Sequence, residues 1–301
     1  MLYETFLQTV KQQMQQRLGG QCQLTIRSVP KNNGMVLDGL SFCTGQSRVS
    51  PTIYLQPFYQ KHRSGTPMEQ ILAEITGLYA RSGLSSAFDP SQLEDPAYVR
   101  PRIAYKLIHA SSNAGQLAQI PYRLLMDLAK VYYLYLGEEE GSQMTVPISR
   151  QHLRLWNMDE AELDRLAVQN TPRLFPAHIC SILDILSDSS PSDPHPGETA
   201  PFYVLTNQAG LGGAACILYD GILKDFADQM GSDLLILPSS IHEVLLLPFK
   251  NDGQIGELCR MVSDINSQEV PGDERLSNQV YRYSRDSEDL SLVSRSTIPL
   301  T

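Results

Sequence analysis

Two short, almost entirely apolar runs in the C-terminal part of the chain constrain its fold more than any other feature. Leu234–Leu237 and Val244–Leu247 contain only leucine, isoleucine and valine, and a short polar link separates them. Runs of this length are typical of strands that are covered on both faces, or covered on one face and packed edge-on by another part of the protein. They therefore predict a hairpin with strands at 233–237 and 243–247.

The N-terminal region combines a helix with strands. Apolar residues at helical spacing predict a helix over 1–18, which Gly19 and Gly20 end. Asn33-Gly34 predicts a hairpin turn, because both residues tolerate positive φ. The strand-like segments predict a three-stranded meander, at about 22–29, 35–43 and 48–55.

Helical and strand patterns also alternate through the rest of the chain. Pro172 and Pro176 predict the end of a helix that begins near Asp159. The other predicted helices lie at about 66–81, 149–156, between Gly213 and Met230, and 253–266. The other predicted strands lie at about 99–109, 122–136, 143–148, 202–206 and 278–284.

These elements predict an α+β protein of two lobes, at about 1–140 and 141–290. Each lobe is expected to be a mainly antiparallel sheet with helices packed on one face. Residues 187–200 are rich in Ser, Asp and Pro, which predicts a mobile loop inside the second lobe. Residues 291–301 are expected to be a frayed tail.

The net charge and the cysteine content limit the possible location and partners of the protein. A formal net charge of −9 repels phosphate backbones, which disfavours nucleic acid as the main ligand. The N-terminus has no apolar core of a secretion signal, and no apolar run approaches the roughly 18 to 20 residues that a membrane helix needs. No Cys-x-x-Cys pair occurs, so we expect buried thiols in a reducing cytoplasm, at Cys22, Cys43, Cys180, Cys216 and Cys259.

A glycine-rich segment is the one candidate for cofactor binding. Gly210–Ala215 fits the pattern G-x-G-x-x-A, with Gly210, Gly212 and Gly213 between a predicted strand and a predicted helix. The acidic residue of a dinucleotide site is missing, because the next strand runs directly into Pro238. The alternative is a flexible turn whose small residues pack a helix onto a sheet. We therefore expect no cofactor.

A polar link between the two apolar runs is the candidate catalytic segment. Ser239, Ser240, His242 and Glu243 place nucleophile, base and acid types within five residues. Catalytic groups meet in space and need not be neighbours in sequence, and no G-x-S-x-G or H-E-x-x-H pattern supports them. The alternative is ordinary turn chemistry in a hairpin link.

Other polar positions give no metal or phosphate signature. The remaining histidines are scattered singly, at His62, His109, His152, His178 and His195. No metal site is therefore expected. The segment Asn170–Arg173 either lines a cleft or caps and ends a helix.

Several phrases together resemble an uncharacterised bacterial family, a domain of unknown function. The phrases are Lys31–Gly34, Ser50–Leu55, Asn170–Leu174, Tyr203–Asn207, Gly231–Leu234 and Leu237–Val244. The resemblance covers about residues 1–285. The part from about residue 145 is also distantly similar to a second uncharacterised bacterial family. Neither resemblance implies an activity, a ligand or a catalytic residue.

The absence of a specific catalytic or metal signature favours a non-catalytic binding or regulatory module. Its partner is expected to be a protein or a small molecule, and not a membrane. The alternative is a hydrolase that uses Ser239, Ser240, His242 and Glu243. Whether the protein is an enzyme is left open by the sequence.

Overall fold

A computed structural model describes the chain over residues 1–19, 22–43, 52–81, 89–139, 142–186, 202–249 and 255–293. It divides into two compact units, Met1–Glu94 and Asp95–Thr301. The described sheets are antiparallel and helices accompany them, which confirms the α+β class. The two lobes at about 1–140 and 141–290 stay a prediction. In the structure, strands on either side of residue 140 pair within one sheet.

The first unit is a three-stranded sheet packed against helices. Its elements are α1 (Tyr3–Arg17), β1 (Gln23–Pro30), β2 (Val36–Cys43), β3 (Thr52–Tyr54), α2 (Gln56–Arg63) and α3 (Met68–Arg81), with 3-10 turns at Asn32–Gly34 and Pro90–Glu94. The strand order β1-β2-β3 confirms the meander. Asn33 and Gly34 have φ of 58° and 69°, the positive values that the predicted hairpin turn needs. Residues 48–51 of the third predicted strand lie outside the described residues.

The second unit begins with a four-stranded sheet. Its elements are α4 (Pro96–Val99), β4 (Ile103–His109), α5 (Ala114–Leu117), β5 (Tyr122–Leu125), β6 (Leu128–Glu139), β7 (Ser142–Pro147), α6 (Arg150–Leu155) and α7 (Glu160–Leu174), with 3-10 turns at Arg100–Arg102 and Ser111–Asn113. Strand β4 pairs with β6 along one edge, and β5 and β7 share the other edge of β6.

A six-stranded sheet completes the second unit. Its elements are β8 (Ala177–Ser181), α8 (Ile182–Leu186), β9 (Tyr203–Asn207), a 3-10 segment (Gly213–Leu218), α9 (Ile222–Met230), β10 (Leu234–Leu237), β11 (Val244–Pro248), α10 (Ile255–Gln268), β12 (Tyr281–Ser284) and β13 (Asp289–Leu292). The strand order is β13-β12-β10-β11-β9-β8. Residues 187–200, predicted to be a mobile loop, lie outside the described residues, as do 294–301 of the predicted tail.

The hairpin predicted from the apolar runs is confirmed as β10 and β11, the two central strands. On one face, Leu235 and Leu237 pack with Cys259 and Val262 of α10. On the opposite face, Tyr203 meets Phe226 of α9 with ring centroids 5.0 Å apart. The runs are continuous because side chains on both faces of these strands are buried or half-buried.

The helix predicted to end at Pro172 and Pro176 continues past Pro172 to Leu174 and ends before Pro176. A proline inside a helix removes one backbone donor, which normally favours an earlier end. Here tertiary contacts hold the last turn in place. The side chains beside Pro172 bond to the backbone that leads into β4: Asn170 Nδ2 donates to the carbonyls of Arg100 (2.8 Å) and Ile103 (3.1 Å), Thr171 Oγ1 accepts from the Tyr105 amide (3.1 Å), and Arg173 Nη2 donates to the Pro101 carbonyl (3.0 Å).

The cysteines behave as small apolar residues where the structure describes their side chains. Cys22, Cys180, Cys216 and Cys259 are buried. Burial raises the pKa of the Cys216 thiol to about 12, so this thiol stays protonated and unreactive. The side chain of Cys43 lies outside the described residues. Among the helices in the described part of the chain, none combines the length and the apolar character that a bilayer crossing requires.

Candidate functional site

The two segments that the sequence singled out separately lie against each other in the structure. We call residues 207–213 the glycine loop and residues 239–243 the serine–histidine turn. The amide of Gly212 donates to Nδ1 of His242 at 3.2 Å, and Thr206 Oγ1 donates to the His242 carbonyl at 2.8 Å. The Ala214 amide donates to the Ile241 carbonyl at 3.3 Å. One joint therefore holds the end of β9 against the link between β10 and β11.

Local chemistry explains the shape of the glycine loop. Gly210 and Gly212 have φ of 64° and 67°, a region that residues with a Cβ adopt only at a cost. Asn207 fixes the loop from inside, because its Oδ1 accepts from the Ala209 amide at 3.0 Å and its Nδ2 donates to the Leu211 carbonyl at 2.9 Å. The loop is therefore preformed rather than loose.

Several backbone amides in and beside the glycine loop are engaged within the protein. The Gly210 amide donates to the Asn207 carbonyl at 3.0 Å, while those of Gly212 and Ala214 bond to the serine–histidine turn. A dinucleotide site needs such amides free, at the start of a helix, to bind a pyrophosphate. The chain after Gly213 instead forms a 3-10 segment. Dinucleotide binding by Gly210, Gly212 and Gly213 would require these bonds to be released, and the expectation of no cofactor stays a prediction.

The imidazole of His242 has a defined tautomer. Because Nδ1 accepts the Gly212 amide, the ring hydrogen lies on Nε2 when the side chain is neutral. Nε2 lies 3.8 Å from Oε1 of Glu274. The ring thus links the glycine loop to the segment that carries Glu274, and both of its nitrogens face partners other than a serine hydroxyl.

Ser240 and Glu243 form the inner part of the serine–histidine turn. Ser240 is only 5% exposed, and its Oγ accepts from the His242 amide at 3.0 Å. Burial raises the pKa of the Glu243 carboxyl, and the nearby Glu274 also raises it, while His242 and a hydrogen bond from Ser240 oppose this. The Ser240 hydroxyl is therefore held between the His242 amide and the Glu243 carboxylate. Ser239 is half-buried, and its carbonyl accepts from the Leu276 amide at 3.0 Å.

Sequence reasoning missed the third segment of this joint, residues 274–277. The Ile241 amide donates to the Glu274 carbonyl at 2.8 Å, and the Ser277 amide donates to the Pro238 carbonyl at 2.8 Å. These bonds involve backbone atoms, and no residue pattern announces them. Only the placement of β12 beside β10 brings this segment to the serine–histidine turn.

A second polar cluster surrounds Asp127, in the turn between β5 and β6. Tyr281 Oη donates to Asp127 Oδ1 at 2.5 Å, and Ser277 Oγ donates to Oδ2 at 2.6 Å. His109 Nε2 lies 3.7 Å from Oδ2, and His109 Nδ1 lies 2.8 Å from the Ser112 hydroxyl. The sequence had placed His109 among scattered histidines. Across the described ranges, no group of three or more His, Cys, Asp and Glu side chains is arranged to hold a metal ion.

His242→Ala is expected to lower the free energy of unfolding by about 1 kcal/mol, because the Gly212 amide loses its acceptor. His242→Asn is the matched variant, since its side-chain oxygen can replace Nδ1 as an acceptor and should restore part of the loss. Urea unfolding followed by circular dichroism measures both. Equal stability of the wild type and His242→Ala would show that the bond contributes nothing.

Comparison with known proteins relates the chain to a protein family through its sequence. No curated protein and no solved structure matches it significantly. The model of one family, described as a family of unknown function (DUF5688), matches residues 3–285, which is nearly the full length. The chain therefore belongs to the DUF5688 family.

Proposed function

We propose that the protein is a binding or regulatory module of the bacterial cytoplasm, and that the glycine loop is its contact surface. The observation that carries this proposal is a loop that is exposed at its tip and fixed at its base. Residues 208–211 are exposed, and the bonds of Asn207 and His242 hold the ends of the loop. Binding residues are often found on loops that a rigid scaffold positions.

A preformed loop is suited to binding because little conformational entropy is lost on association. Leu211 supplies an apolar contact at the tip, where its side chain is 37% exposed. Gln208, also exposed, adds a side chain that both donates and accepts hydrogen bonds. This mixture suits a protein surface or a small polar ligand, and the net charge of −9 disfavours nucleic acid. The resemblance to bacterial families supports the proposed source, and the buried thiols fit a reducing compartment.

Leu211→Ser is expected to reduce capture of the partner about tenfold, because it removes the apolar contact at the tip without disturbing the base. The experiment uses the immobilised full chain, a lysate of the native host and quantitative mass spectrometry. Leu124→Ser is the matched control, since Leu124 is 65% exposed on β5. A partner that both variants retain equally well would contradict the glycine loop as the contact surface.

A hydrolase that uses Ser239, Ser240, His242 and Glu243 is the alternative proposal. The raised pKa of Glu243 beside an imidazole favours it, because catalytic acids often have pKa values shifted in this way. The burial of Ser240 and the engagement of both His242 nitrogens weigh against it. Ester turnover that His242→Ala abolishes while the fold is kept would favour this alternative over the binding role.

A further inference from the structure

A serine hydroxyl and an imidazole lie within hydrogen-bonding distance at the end of β4. The Ser112 hydroxyl is 2.8 Å from Nδ1 of His109, and the Ser112 amide donates to the same nitrogen at 3.3 Å. A nitrogen that accepts an amide hydrogen is unprotonated, so the hydroxyl is the donor in its contact with the ring. The pair therefore has the arrangement of a nucleophile and its general base.

The other nitrogen of the ring faces a carboxylate that is itself held in place. With Nδ1 acting as acceptor, the hydrogen of the neutral ring lies on Nε2, which is 3.7 Å from Asp127 Oδ2. The hydroxyls of Tyr281 and Ser277 bind the two oxygens of Asp127 and prevent the carboxylate from rotating away. Hydrogen bonds between catalytic groups are often long before substrate binds and tighten in the complex with substrate.

Two hydrogen bonds to backbone carbonyls hold His109 and Asp127 in place. The Ala110 amide donates to the Asp127 carbonyl at 2.8 Å, which ties the turn after β4 to the turn before β6. Asn113 Nδ2 donates to the His109 carbonyl at 2.8 Å. Met126, which precedes Asp127, has φ of 55°, an uncommon conformation for a residue with a side chain. Such conformations accumulate at functional sites, where surrounding contacts maintain them.

Access distinguishes this cluster from the serine–histidine turn. Ser112 is exposed, whereas Ser240 is buried. A carbonyl carbon can therefore approach Ser112 Oγ from solvent while His109 and Asp127 lie behind it.

We propose that Ser112, His109 and Asp127 form a hydrolytic site for small acyl esters. Ser112 Oγ attacks the carbonyl carbon, and its proton passes to His109 Nδ1. The bond from the carbonyl carbon to the alcohol oxygen then breaks, and that oxygen takes the proton from Nδ1. Water attacks the acyl-Ser112 ester and gives a proton to Nδ1, which returns it to Ser112 Oγ as the acid leaves. Asp127 keeps the tautomer and stabilises the imidazolium.

This inference goes beyond the proposed binding role and rests on other residues. The test uses the full chain with p-nitrophenyl acetate as substrate and a fluorophosphonate as a covalent probe. Ser112→Ala is expected to abolish labelling and to lower ester turnover at least about 100-fold. Mass spectrometry should locate the probe on Ser112. Ser111→Ala is the matched control, because Ser111 Oγ lies 3.4 Å from the same nitrogen, and it should keep both activities.

Tyr281→Phe tests positioning of the carboxylate, and it should lower kcat while KM stays unchanged, since Tyr281 bonds to Asp127 and not to the ester. The proposal would be overturned if the probe labelled another serine or if the acyl group stayed on His109. It would also be overturned if ester turnover were unchanged in Ser112→Ala. The two roles are separable. Leu211→Ser should leave labelling intact, and Ser112→Ala should leave partner capture intact.

Discussion

Gly213→Ala is expected to lower the free energy of unfolding by about 3 kcal/mol or more. A Cβ at this position would lie 2.3 Å from Thr206 Oγ1, 2.4 Å from the His242 carbonyl oxygen and 2.7 Å from the Asn207 amide nitrogen. Two of these are backbone atoms, which cannot move aside without breaking the joint between the glycine loop and the serine–histidine turn. Urea unfolding followed by circular dichroism measures the loss.

Gly210→Ala is the control for this result, since it changes the same loop without a clash. A Cβ there meets nothing within 4 Å, and the cost is limited to the left-handed backbone, at about 1–2 kcal/mol. Gly213→Ala is therefore expected to be much less stable than Gly210→Ala. If the two variants were equally stable, the close approach at Gly213 would not be a constraint on the fold.

Leu246→Ala is expected to cost about 2–5 kcal/mol, because a central strand would lose a side chain that is 0% exposed. Leu235→Ala, on the facing strand β10, should cost a similar amount. Both losses should exceed that of His242→Ala in the link between these strands. Thermal and urea unfolding of the purified variants measure all three.

Leu292→Ala is the matched control for the core variants, because Leu292 is 40% exposed on the edge strand β13. Its expected cost is within about 0.5 kcal/mol. A loss as large as that of Leu246→Ala would mean that the edge strand is covered in solution. A small loss for Leu246→Ala would mean that the sheet collapses around the cavity.

The elements that sequence predicts well are those whose signal is local. Continuous apolar runs identified β10 and β11, and Asn33-Gly34 identified the first hairpin. The end of α7 could not be predicted in the same way, because Pro172 is a local signal that distant backbone partners override. Local sequence propensity determines the local structure where tertiary contacts do not oppose it. Strong tertiary contacts override it.

Prediction of the candidate sites was limited for the same reason. The glycine loop and the serine–histidine turn were each visible as patterns, but their contact depends on β9 pairing with β11. The cluster of Ser112, His109 and Asp127 draws on Tyr281 and Ser277, which lie far away in the chain. The His-x-x-Ser spacing alone is too common to indicate a site.

The strand order of the six-stranded sheet has a consequence for biosynthesis. Strand β10 pairs with β11 on one side, but its other neighbour, β12, is made only after α10. Until then, an emerging chain presents Leu234–Leu237 as an unpaired apolar edge. Such edges recruit strands from other chains, and pairings between distant segments form slowly. The nascent protein is therefore vulnerable to aggregation in the interval between the synthesis of β10 and that of β12.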